Sequence, residues 1–539
     1  MRLRTALASY RENFRVASRQ SPLVLLLLGL SLAVILPLAS LALWAFRQEA
    51  VQLLSFFNIE LLELAARTLL LAGLATLWAA ALALPLAWLV VRTDLPGRSW
   101  WRWLAALPLA IPSYVGALTY ITLLEPTGPV NRFLGWLTGQ GPLVNIYGFW
   151  GGVFVLGLFT YPILFVLVAA SLEVTNPAYE EAARSLGKGP RGVLWSVSLP
   201  LVKPSITAGA LLVFLYSASD FGSLSLLRVR VLTTEIFHQL NTRFDLGTAA
   251  LLALVLVAIT GLVLFGQRKA LGARYFTQIS TASRPAPRAM LGRWRLPATG
   301  LVIIIMLLAL ILPVMVLVSE IPGWDSFWQS LAGQGRYTLN SLGASAGAAS
   351  LGLILGFLIA YAAQRKRMIW GKGLYSITQL GYAIPGTVLG LGMILFYNNY
   401  LPWIYSTWFM VVIGYLVRFS PQTMQASRSS LEAIHPHLEE VARSLGLGPA
   451  RAVAKVIVPN IRAGLLAGWA LFFISAMKEL DATLLLRPAG FDTLSVRIYV
   501  HTLEADFSSA AVVALVQIII TAIPLSLLLR RKERRMQLG

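Results

Sequence analysis

The sequence predicts an all-α polytopic membrane protein of about 12 transmembrane helices, built as two fused six-helix repeats. Composition is the first ground. Of 539 residues 57% are hydrophobic and only 12% charged, with mean hydropathy +0.72, far from a soluble average. The second is the recurrence of apolar runs at the length a helix needs to cross a bilayer, about 20 residues. The third is a polar stretch present twice: Tyr179–Gly189 reads YEEAARSLGKG and Leu438–Gly448 reads LEEVARSLGLG. Glu180 and Glu439 are therefore equivalent positions.

Along the chain, Arg2, Arg4, Arg11, Arg15 and Arg19 precede an apolar run from Ser21 to Phe46. That run exceeds the roughly 7–15-residue core of a signal peptide and reads as a retained first span. Further spans fall near 64–91, 103–124, 148–172, 205–227 and 246–267, which closes the first half. The Pro/Arg/Ser-rich stretch 268–296 reads as a linker. Spans near 297–319, 338–363, 373–400, 403–427, 464–486 and 507–529 complete the second half. The domains expected are thus 1–267, 268–296 and 297–539. Pro112 and Pro385 stand where they would break the third and ninth spans. Gly343, Gly347, Gly352 and Gly356, with Gly386 and Gly390, form small-xxx-small pairs that predict close helix packing.

The net charge of +21 comes from short Lys/Arg clusters between apolar runs, including Lys366 and Arg367 and the tail Arg530, Arg531, Lys532, Arg534 and Arg535. That is the positive-inside pattern of a protein in a lipid bilayer, not a nucleic-acid surface. It predicts both termini, the linker and both polar loops on the cytosolic side. With no cysteine, disulfides and thiolate chemistry are excluded. His435 and His437 lie two apart with no further ligand at useful spacing, so no metal site is expected there.

The repeat extends well beyond the polar loop. Pro162 matches Pro421, Pro177 matches Pro436, Pro200 matches Pro459, and Leu226-Leu227-Arg228 matches Leu485-Leu486-Arg487, all at one offset. Ala110-Ile111-Pro112 matches Ala383-Ile384-Pro385 at a longer offset. An even number of spans per half gives both halves the same orientation, hence a pseudo-twofold along the membrane normal. In each loop Glu180 and Glu181, or Glu439 and Glu440, fall in the first turn of a short helix, where the helix dipole favours carboxylates. Gly187 or Gly446 ends that helix, and Pro190 or Pro449 opens another.

Glu180–Pro200 and Glu439–Pro459 resemble the EAA loop of permease subunits in binding-protein-dependent ABC importers. The resemblance covers nearly the whole chain, as two fused type I permease halves in a bacterial cytoplasmic (inner) membrane. It implies that Glu180, Glu181, Ala182, Gly187 and Pro200, with Glu439, Glu440, Val441, Gly446 and Pro459, form two coupling loops. Two copies of a cytosolic ATP-binding subunit would dock there, and ATP and Mg would be bound by those partners, not by this chain. An extracytoplasmic substrate-binding protein would deliver the cargo. Asp220 to Arg228 and Lys478 to Pro488 further resemble segments of ferric-iron permeases, while fused permeases for thiamine, sulfate or polyamine are the alternative.

Asp220, Arg228, Arg418, Lys478, Glu479, Asp481 and Arg487 also have a physical reading. A charge in an apolar span costs about 2.5–3.5 kcal/mol on insertion scales, so it faces a partner or a water-filled path. Asp220 and Glu479, equivalent by the repeat, are candidates to meet Fe(III) in transit through oxygen ligands. The competing reading is that Lys478, Asp481 and Arg418 pair with them to hold an outer gate. No HExxH or GxxxxGK[ST] occurs, so the chain is not expected to be a zinc protease or to hydrolyse ATP at a Walker site. A secondary transporter or membrane scaffold is the rival class, and neither explains two matched polar loops.

Overall fold

A computed structural model describes residues 25–47, 56, 58–271, 288–365, 371–435 and 437–537. The N-terminal arginines, most of the linker, Lys366, Arg367 and Pro436 lie outside them. Among the described residues nine helices are long and apolar enough to cross a membrane. Two bent pairs raise the number to eleven: Arg98–Ala110 with Ser113–Thr138, bent by 92°, and Gly373–Ala383 with Gly386–Tyr400, bent by 114°. The twelfth expected span is the 25-residue helix Trp408–Glu432. It is long enough, but Arg418, Gln422, Gln425 and Arg428 make it more polar than the rest.

Both bends fall at the prolines expected to break the spans. Ile111 (ψ 116°) and Ile384 (ψ 123°) are extended, the region a following proline imposes on its neighbour. Proline leaves a second mark in each repeat. Leu194–Ser198 and Val453–Ile457 are single π-turns just upstream of Pro200 and Pro459, which have no N–H to continue the helical ladder.

The spans expected at 205–227 and 464–486 require correction. Their helices stop at Ser219 and Met477, and the chain turns into the short helices Gly222–Leu226 and Asp481–Leu486. Asp220 and Glu479 therefore lie at breaks, not within continuous helices. A carboxylate needs donors, and the backbone N–H groups at a helix start supply them.

Two compact units result, neither coinciding with a half of the sequence. One comprises residues 44–338, 385–388 and 492–539. Its centre is the helix Ile59–Arg92 against Phe149–Val174. The two approach so closely at Gly157 that an added Cβ would lie 2.3 Å from the Trp78 ring. The helix Gly292–Ser319 joins this unit through Tyr120 Oη, which donates to Leu308 O at 2.9 Å. The last helix joins through Thr521 Oγ1, which donates to Ala110 O at 3.0 Å. The other unit comprises residues 1–43, 339–384 and 389–491. There the first helix contributes Leu27 and Leu30 to a cluster with Ile359 and Met424. A second cluster joins Ala360, Leu431, Ile457, Ile461 and Leu465. Close packing occurs at Gly352 and Gly356, where an added Cβ would meet Phe472 at 2.5 Å and Thr423 at 2.6 Å. Gly343 and Gly347 meet nothing within 4 Å, so the packing expected of that pair is absent among the described residues.

Candidate functional site

The two polar loops share one backbone design. In the first, Asn176 Oδ1 accepts from Ala178 N at 3.0 Å and starts the helix Pro177–Ser185. Gly187 at φ 82° ends it, and Lys188 N donates back to Ala183 O at 3.1 Å. The second repeats this: the helix His437–Ser444 ends at Gly446, φ 87°, with Leu447 N on Ala442 O at 3.1 Å. An alanine in either glycine position would carry a left-handed backbone that its Cβ disfavours.

The two glutamates turn inward. Glu180 is buried; its Oε1 accepts from Ser198 Oγ at 2.8 Å and lies 3.4 Å from Arg92 Nη2. Glu439 is buried too, but its Oε1 accepts from Tyr361 Oη at 2.7 Å and from half-exposed Arg443 at 2.6 Å. These residues are anchors of the loop to the helices behind it. The outward faces carry Glu181 and Ala182, or Glu440 and Val441, with the large apolar Tyr179 and Leu186 exposed on one loop and Leu438 and Leu445 on the other. Pro200 and Pro459 are exposed where each following helix begins. Sequence reasoning found the loops but missed Arg92, Ser198 and Tyr361. Arg92 had a visible signal, as a charge at the end of an apolar span, and its partner was 88 positions away in sequence.

The two break carboxylates act first as caps. Asp220 Oδ1 accepts from Ser223 N at 3.0 Å and from Ser223 Oγ, and Oδ2 accepts from Ser113 Oγ at 2.5 Å. Thr233 Oγ1 donates to the Asp220 carbonyl at 2.9 Å. Ser113 reaches this position because it directly follows the Pro112 bend. Glu479 Oε1 likewise accepts from the backbone N three residues on, Ala482, at 2.9 Å, and it pairs with Arg418. Asp481 opens the short helix behind it, and Lys478 caps the preceding one. No group of three His, Cys, Asp or Glu able to hold a metal ion occurs among the described residues.

Arg228 and Arg487, equivalent by the repeat, differ in backbone. Arg228 adopts φ 56° and lays its guanidinium 4.9 Å from the centre of the Tyr147 ring. Arg487 is extended at φ −65° because Pro488 follows it. Arg228 borders a cavity of about 550 Å³ that Phe221, Arg230, Glu235, His238 and Arg243 also line. There Arg230 bridges Glu60 at 2.5 Å and Glu235 at 3.0 Å. Burial pushes the Glu235 carboxyl up, but hydrogen bonds from Arg230 and Gln239 outweigh that and hold it below the usual carboxylate range.

Two helical bundles, each with a broken span and an inward-anchored polar loop, define a class: a polytopic helical membrane protein of duplicated design. The sequence matches the family described as "Binding-protein-dependent transport system inner membrane component" twice, over residues 79–277 and 352–537. The chain belongs to that family, the permease subunits of binding-protein-dependent importers. It is 30% identical over 480 residues to "Fe(3+)-transport system permease protein FbpB 2" of Haemophilus influenzae, covering 88% of this chain and 90% of that one. It is 26% identical over 439 residues to "Ferric transport system permease protein FbpB" of Actinobacillus pleuropneumoniae, covering 77% of this chain and 63% of that one. It is also 31% identical over 252 residues to "Sulfate transport system permease protein CysT" of Salmonella typhimurium, covering 44% of this chain and 87% of that one.

Proposed function

We propose that this permease carries ferric iron inward, that two ATP-binding subunits drive it by docking one on each polar loop, and that both termini face the cytosol. The observation that carries the motor reading is the loop itself. Each presents exposed apolar side chains outward while a buried glutamate fixes it to the helices behind, so a push on the outer face is passed into the bundle. The Lys/Arg bias supports the orientation. The ferric relatives, which match most of the chain, support iron over sulfate, whose named relative matches less than half of it.

In this reading a binding protein delivers its cargo to the permease from outside the membrane. Asp220 and Glu479 each cap the short helix at their own break, and the Arg418–Glu479 pair is an ion-paired latch that parts when the motor subunits close. Asp220 and Glu479 remain the candidates to meet Fe(III) in transit, because their oxygens exchange hydroxyl or guanidinium donors for a hard cation as the breaks open. ATP and Mg are bound by the motor subunits.

The test is ATPase activity of the reconstituted permease with its ATP-binding subunits and binding protein. The binding protein is loaded with Fe(III), with thiamine or with sulfate in turn. Stimulation by the ferric form alone is expected. Stimulation by sulfate or thiamine instead overturns iron and leaves the permease class intact.

A further inference from the structure

The segment that joins the two halves of the sequence does not simply pass by the first polar loop. Residues 288–291, the last part of the joining segment, lie against residues 92–94. Ala289 N donates to Arg92 O at 2.8 Å, and Asp94 N donates to Ala289 O at 3.2 Å, forming the isolated bridge between Thr93 and Ala289. Asp94 Oδ1 then accepts from Leu291 N at 2.8 Å. The Arg295 guanidinium reaches Asp94 O at 3.3 Å. From there the chain enters the helix Gly292–Ser319 directly.

Arg92 thus works at both ends. Its carbonyl holds the joining segment, and its buried guanidinium faces Glu180 of the loop. The backbone between is rigidly placed: Thr93 is fully buried, and its Oγ1 donates to Leu89 O at 2.5 Å and accepts from Leu95 N at 3.3 Å. A buried backbone N–H that loses its acceptor is costly, so these contacts hold as a set.

We propose that Arg92 and Asp94 are positioning residues that tie the joining segment to the first polar loop, so that displacement of this loop is passed to the start of the helix Gly292–Ser319. The consequence for transport rests on the reading that the loop meets a motor subunit; the tie itself does not. A motor stroke on the first loop then reaches the other half of the sequence through hydrogen bonds as well as through the bundle.

The experiment uses the full chain in nanodiscs and compares Asp94→Ala with Asp94→Asn, whose Oδ1 still accepts from Leu291. Hydrogen exchange is read at Leu291, at Gly187 and Lys188 of the first loop, and at Gly446 and Leu447 of the second. In Asp94→Ala the amides of Leu291, Gly187 and Lys188 are expected to exchange at least several-fold faster, with Gly446 and Leu447 unchanged and Asp94→Asn like the parent. Ala289→Pro, which removes the N–H on the Arg92 carbonyl and also fixes φ at position 289, takes its place if Asp94→Ala does not accumulate. Faster exchange at Leu291 with Gly187 and Lys188 unmoved overturns the tie. Transport per ATP is then measured in the complete complex. A fall in Asp94→Ala that is not additive with Glu180→Gln but is additive with Glu439→Gln supports the relay. Faster loop exchange with transport per ATP unchanged keeps the tie and overturns the motor reading of the loop.

Discussion

Replacing Glu180 by Gln and Glu439 by Gln should have unequal effects, although the sequence presents the two as copies. At the first loop both partners are buried, with side chains 4% exposed for Arg92 and 3% for Glu180. Two Arg92 nitrogens, Nε and Nη2, have no hydrogen-bond partner among the described residues. Glutamine keeps the Ser198 contact but leaves the guanidinium without its counter-charge. Breaking a buried pair from one side costs about 3–5 kcal/mol, and the retained contact places this case at about 3 kcal/mol. At the second loop Arg443 is half exposed, an arrangement worth about 0–1 kcal/mol. Glutamine still accepts from Tyr361, so across these two contacts the loss is the charge assistance alone, about 1 kcal/mol. The difference of about 2 kcal/mol is roughly thirty-fold in the opening equilibrium. It is read by hydrogen exchange at Lys188 against Leu447. Equal losses, or a larger loss in the second loop, would refute the reasoning. The paired change Arg92→Met with Glu180→Leu provides a control, since an apolar pair of similar volume is neutral or stabilising where the single change is costly.

Three further outcomes are expected. Arg418→Leu strands Glu479 in a buried break, and the complex should lose about 3 kcal/mol, measured by thermal unfolding; Arg418→Leu with Glu479→Leu should recover stability but not uptake of 55Fe. Arg228→Gly removes a left-handed strain of about 1–2 kcal/mol, so the melting temperature should hold or rise; a fall in uptake at the same time assigns the Arg228 side chain a role in the pathway. His501 is pushed below its ordinary value by burial and by Arg497, against the pull of Asp506 and Glu504. The unfolded chain therefore binds the proton more readily, and stability from this group is complete above the ordinary histidine value and lost as pH falls through it. The melting temperature should drop between pH 7.5 and 5.5, and His501→Gln should shrink that drop; an unchanged drop refutes the assignment.

The helices were legible because their cause is local. An apolar run of about 20 residues in lipid satisfies its own backbone only as a helix, and Pro112 and Pro385 marked their own bends. The loop ends were legible in Gly187 and Gly446 for the same reason. What the sequence did not convey was where the spans of Asp220 and Glu479 stop. Leu224, Leu226 and Leu227, like Leu484, Leu485 and Leu486, continue the apolar run, and hydropathy does not distinguish a helix from a turn into a second helix. Nor did it convey which side chains anchor the loops. Arg92, Ser198 and Tyr361 belong to different helices from the glutamates they meet, so no spacing rule connects them.

Divergence between the duplicates is concentrated where each must be held in place. The helices Leu232–Asn241 and Leu494–Leu503 correspond. Each is followed by a left-handed residue, Phe244 at φ 56° or Ala505 at φ 58°. Each is then followed by an aspartate that caps the next helix, Asp245 on Thr248 N at 3.0 Å or Asp506 on Ser509 N at 3.1 Å. An ion pair five residues apart ties each helix to the residues just before it, and the signs are exchanged: Arg230 with Glu235 at the first, Asp492 with Arg497 at 3.6 Å at the second. An exchanged pair keeps the attraction that fixes the helix while reversing the charge it offers around itself. The backbone scaffold of the repeat is retained, and the polar anchors are where one half has become distinguishable from the other, so mutations at equivalent anchors should not be expected to have equivalent effects.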